Sequence, residues 1–149
     1  MCRFDRSQQG FTLREALTAL VVLAVLVAVS VPLARNHELR AQRHEAIDAL
    51  LAAQSAQDRF FGKHARYADA TQLSASEPDG LGLNAGSAHG AYRLTLLTNG
   101  DGLGYWAVAH RVSPADRADS RCVEMRIDQN GRRFAVDADG ADRSADCWR

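Results

Sequence analysis

A run of uncharged, mostly aliphatic residues from Ala16 to Ala34, entered directly from Arg14-Glu15, constrains this chain more than any other feature. A helix rises about 1.5 Å per residue, so an apolar run of about 18 or more residues is long enough to cross a bilayer. An ionised carboxylate at the edge of such a segment costs on the order of a few kcal/mol unless a cation meets it. Glu15 therefore marks a functional position and calls for a partner.

Two ordinary readings explain part of this pattern. A secretory signal needs a basic start, an apolar core of about 7 to 15 residues and a small-residue cleavage site, which Ala28-Val29-Ser30 supplies. A plain single-span anchor explains the hydrophobicity alone. Neither accounts for the Gly10-Phe11 junction, the acid and Pro32 together. The run Gly10-Phe11-Thr12-Leu13-Arg14-Glu15 ahead of an apolar helix resembles the class III signal of type IV prepilins. The resemblance implies that a prepilin peptidase cuts between Gly10 and Phe11 and methylates the new amino terminus at Phe11. It also implies that Glu15 meets the N-terminal amine of a neighbouring subunit during assembly, and it puts Pro32 where many pilins carry proline. Arg14 departs from the pattern, since the family usually has an apolar residue there. It either neutralises Glu15 locally or snorkels to the headgroups and leaves the carboxylate free. The leader carries Arg3 and Arg6 against Asp5, which favours a cytoplasmic amino terminus.

Leader and membrane segment take roughly 35 of the 149 residues, leaving one small domain without room for an elaborate active site. The 18 basic and 18 acidic residues balance, so no global field attracts a polyanion. Three cysteines are an awkward count for an exported domain, because an odd one suggests a free thiol. Under the prepilin resemblance Cys2 leaves with the leader, and Cys122 and Cys147 remain as a pair in an oxidising compartment, the alternative being two unpaired thiols. Such a bridge contributes about 3 to 4 kcal/mol in the chain-entropy model.

No glycine lies between Phe11 and Phe61, and Leu39, Ile47, Leu50, Leu51, Gln54 and Phe61 continue at helical spacing. One helix of about 75 Å is expected, with Gly62 as its stop and a kink or local unwinding at Ser30 to Pro32, where proline lacks the amide donor. Residues 63–90 gather Gly, Ser, Asn, Asp and Pro78 and read as an irregular connection with a short helical turn. Strands are expected over Tyr92 to Leu97 and Tyr105 to Val112, turning at Asn99-Gly100-Asp101-Gly102. A second pair covers Cys122 to Asp128 and Arg133 to Val136, turning at Gln129-Asn130-Gly131. Alternation puts Val123, Met125 and Ile127 on the core face. The expectation is an α+β fold: a long helix, half transmembrane (11–34) and half amphipathic (35–62), packed on a four-stranded antiparallel sheet in a head of residues 63–149. The tail, with Trp148 beside the bridge, resembles the disulfide-closed D-region of type IV pilins, here 122–147, and its Cys-Trp ending resembles PilE-type minor pilins.

Catalysis finds little support. His44-Glu45 lacks a second histidine four residues on, no frame singles out a Ser-His-Asp set, and the scattered histidines read as solvated surface groups. The segment Gly80 to Gly86 lacks the glycine spacing and Lys-Ser/Thr ending of a phosphate loop. Asp137, Asp139 and Asp142 around Gly140 are a candidate calcium set of oxygen donors, although the later bidentate Glu is missing; some type II secretion pseudopilins carry a calcium loop at this place. Arg126, Arg132 and Arg133 are a candidate DNA-binding patch, set in a segment from Arg111 to Arg149 where eight arginines face eight acids. The chain reads as a non-enzymatic minor pilin without cofactors, held in the bacterial inner membrane with its head in the periplasm and later on the cell surface in the pilus. Its partners would be other pilin subunits, prepilin peptidase and the pilus assembly platform. The alternatives are a type II secretion pseudopilin and a DNA-binding minor pilin.

Overall fold

The computed structural model describes residues 12–112 and 120–149. Its first element, α1 (Leu13–His64), passes through two compact units, residues up to His37 and Glu38–Arg149.

In the first unit Thr12 caps the helix: its Oγ1 accepts the Glu15 amide at 3.4 Å. Thr12-Leu13-Arg14-Glu15 has the spacing of a capping box, and Glu15 in the first turn complements the partial positive charge of the helix N-terminus. From Leu13 to Val31 the helix is long and apolar enough to cross a membrane, and its side chains are exposed throughout. The helix stays wound through Ser30 to Pro32, against the local unwinding that proline predicts there. The Ser30 hydroxyl donates to the Leu26 carbonyl at 2.7 Å, a back-bond that hydroxyls make within helices.

In the second unit α1 ends at His64, two residues beyond the expected stop. Gly62 remains helical, and Ala65 takes the left-handed conformation (φ 53°), its amide bonding to Phe61 O at 2.8 Å. Rings hold this end: Phe61 lies 4.6 Å from Tyr67, and Tyr67 lies 4.7 Å from Tyr105. The buried stripe of α1 is Ala46, Leu50, Ala53, Ala56, Gln57 and Phe60. It is displaced by about one position from the expected one, and half of it is alanine. Ile47 and Leu51 pack at its margin.

The connection is irregular apart from a single 3-10 turn, Ala70–Gln72, capped by the Asp69 carboxylate. Four strands follow: β1 (Tyr92–Thr98), β2 (Tyr105–Arg111), β3 (Glu124–Asp128) and β4 (Arg133–Val136), antiparallel in the order β1-β2-β3-β4. The short helix α2 (Ser144–Cys147) ends the chain's regular structure. Both glycine turns form as expected, with Gly102 (φ 69°) bonded to Asn99 O and Gly131 (φ 75°) bonded to Asp128 O. Period-two alternation sends Tyr92, Leu94, Leu96, Tyr105, Ala107, Ala109, Met125, Ile127 and Ala135 into the core shared with α1. Val123 differs from expectation: β3 begins at Glu124, two residues later than expected, Val123 is half-buried, and Cys122 takes the buried place. Cys122 and Cys147 form a disulfide with Cα atoms 5.8 Å apart. Trp148 packs beside it, its Nε1 donating to Phe134 O at 3.2 Å.

Candidate functional site

Three regions carry the residues singled out above. At the amino end, Gly10 and Phe11 lie outside the described residues. Glu15 is exposed in the first turn of α1, and Pro32 lies inside that helix. Successive helix residues do not face each other, so Arg14 and Glu15 point to different sides. Among the described residues no ion pair joins them.

In the tail, the candidate calcium carboxylates are committed to the loop. Asp137 accepts Arg143 Nε at 2.9 Å and the amides of Ala141 at 2.9 Å and Asp139 at 3.0 Å. The Arg143 guanidinium, then the Ala141 amide, hold its carboxyl below the ordinary range despite some burial. Asp142 accepts the hydroxyl and amide of Ser144 at 2.6 and 2.8 Å, and these bonds lower it likewise. Among the described residues no three His, Cys, Asp or Glu side chains converge as metal ligands.

The arginine trio divides between surfaces. Arg133 pairs in register with Ile127, on the helix-facing side, and lies 5.1 Å over the Trp148 ring at the sheet edge. Arg132 sits in the turn, its amide bonded to Asp128 Oδ1 at 2.8 Å. Arg126 is on the opposite face, 5.7 Å over the Phe134 ring. There it meets partners that the sequence reading did not connect. Arg93, His110, Glu124 and Val136 form one cross-strand row. Glu124 accepts from Arg126 Nε through Oε1 and lies 3.0 Å from His110 Nδ1 through Oε2. The histidines are exposed, as expected of solvated surface groups, and three of them also have partners: His110 with Glu124, His89 with Glu45 at 2.5 Å, and His64 with Pro78 O at 3.1 Å. These contacts join residues distant in sequence, and only the strand register and the path of the loop bring them together.

A family model described as "Prokaryotic N-terminal methylation motif" matches residues 5–31. A second, "Type IV minor pilin ComP, DNA uptake sequence receptor", matches residues 32–126, more than half of the chain. The chain belongs to the ComP family of type IV minor pilins. The pilin is also similar to the type IV major pilin protein PilA of Myxococcus xanthus, with 33% identity over 67 residues, 45% of this chain and 30% of that relative. It thus spans less than a third of that relative's length. Among solved structures it is similar to a type IV pilin from Shewanella oneidensis, at 19% identity and a TM-score of 0.45, covering 63% of this chain and 88% of the other.

Proposed function

We propose that this pilin is a minor subunit of a DNA-uptake pilus. It is held in the inner membrane with its head in the periplasm, cut between Gly10 and Phe11 by prepilin peptidase, methylated at Phe11 and delivered through the assembly platform into the filament. Glu15 supplies the carboxylate that a neighbouring subunit's terminal amine meets, a pairing favoured where lipid or packed helices exclude water. The head then binds duplex DNA at the pilus surface. The match of residues 32–126 to the ComP model supports the last step above all, and it shifts weight toward a nucleic-acid partner that balanced charge alone did not suggest.

No specific observation favours the pseudopilin alternative. With its charges balanced, the head can attract DNA only through a local surface, so the attraction fades with salt. The test is a mobility shift of labelled duplex with the full-length pilin in detergent micelles. A shift at low salt and micromolar protein that weakens as salt rises is expected. Unaltered mobility at low salt would refute DNA binding.

A further inference from the structure

The sheet face turned away from α1 carries a compact group of charges on β1, β2 and β3. Arg93 and His110 are cross-strand neighbours, His110 is opposite Glu124, and Arg126 stands two residues along the same strand. The exposures are graded. The His110 side chain is 49% exposed and Arg126 36%, whereas Glu124 beneath them is 15% exposed. Arg93 is exposed as well. A polyanion arriving from solvent thus reaches the cations before the carboxylate. Yet Glu124 holds Arg126 Nε and leaves that guanidinium only part of its hydrogen-bonding fork for a phosphate. Val136 follows on β4, with Asp142 bridged beyond it, so among the described residues the charged groups sharing this row with His110 are Arg93, Glu124 and, at its far end, Asp142, while Arg126 stands two residues from Glu124 on β3.

The geometry points to a phosphate-binding surface of Arg93, His110 and Arg126 in which Glu124 is a built-in competitor, so that protonation of His110 strengthens DNA binding. The inference rests on the DNA-binding reading above and assigns it a surface and a regulation. With His110 neutral, two arginines against one carboxylate leave one net positive charge; with His110 charged there are two. Imidazoles charge between pH 8 and pH 5. Each added cation that neutralises a phosphate steepens the slope of log affinity against log salt by about 0.9.

The experiment is fluorescence anisotropy of duplex DNA with the full-length pilin in detergent, titrated across salt at pH 8 and pH 5.5, with circular dichroism of every variant. The parent is expected to bind more tightly at pH 5.5, with a slope steeper by about one. His110→Ala should abolish that change, and His110→Lys should show the steeper slope at both pH values. Glu124→Gln should bind several-fold more tightly at pH 8, while Arg126→Gln should lose about one unit of slope throughout. His89→Ala, in a separate pair with Glu45, should keep the parental pH response. If the parent binds DNA but Glu124→Gln and Arg126→Gln, both folded, bind as it does, this surface is wrong and the DNA reading stands. If the folded parent binds no DNA at either pH, both are overturned.

Discussion

The side-chain amide of Gln57 pairs with the backbone of Ala68 in both directions: Nε2 donates to Ala68 O at 2.8 Å and Oε1 accepts Ala68 N at 2.8 Å. Both residues are fully buried. The amide thus satisfies two peptide groups that would otherwise be stranded in the core, and it ties the chain leaving α1 back onto the helix. Gln57→Leu keeps the volume but orphans both groups, each costing about 1 to 3 kcal/mol. Urea denaturation should show a loss of about 2 to 6 kcal/mol, and an unchanged midpoint would contradict the role.

The disulfide spans a sequence separation of 25. Its removal by Cys122→Ser with Cys147→Ser, or by a reductant, should lower head stability by about 3 kcal/mol in the chain-entropy model. Thermal melts with and without reductant measure this; coincident curves would mean that the core and the Trp148 contact suffice.

Acid should weaken the head at defined carboxylates. Burial pushes Glu45 up, but the His89 amide and ring, with Ser87, outweigh it and leave Glu45 below its ordinary value. Asp69 is lowered first by the Thr71 hydroxyl, then by the Thr71 and Gln72 amides against slight burial; Asp137 is lowered first by Arg143. A carboxyl depressed in the folded state contributes stability above its unfolded pKa of about 4 and loses it as pH falls through the folded value. Stability should therefore fall below about pH 4, and Asp137→Asn should flatten that decline. A melting temperature independent of pH between 5 and about 2.5 would rule this out.

Glu15→Ala should leave membrane insertion intact and impair assembly. Arg14→Leu should leave both intact, since neighbouring helix positions do not face each other and among the described residues no ion pair joins Arg14 to Glu15. Probing sheared filaments and inner-membrane fractions for each variant separates these outcomes. Normal assembly of Glu15→Ala, or loss of assembly in Arg14→Leu, would reverse the assignment.

Local patterns carried much of the fold. The apolar run, the Asn-Gly turns and strand alternation are properties of neighbouring residues, and they located the helix and all four strands within one or two positions. The buried stripe was less legible, because Ala46 and Ala53 carry little hydrophobic weight in a sequence although both are fully buried. Gln57 was illegible for a related reason: a polar residue on the apolar face has meaning only once Ala68 lies across from it. The same holds for Glu124, whose two partners come from β2 and from its own strand two positions on. Arg126, Arg132 and Arg133 show the converse, being close in sequence but separated by the pleat.

The bridge also decides what injury does to this head. Ala138, Asp139 and Gly140 are exposed, on the stretch between Cys122 and Cys147. A protease that cleaves there produces two chains, but the short one keeps Cys147 and stays covalently attached. It is seated as well, through Arg143 N on Ala135 O and the Ser144 hydroxyl accepting Ala135 N. A nicked subunit would therefore run as one species on a gel until a thiol is added, and nothing would be shed at the moment of cutting.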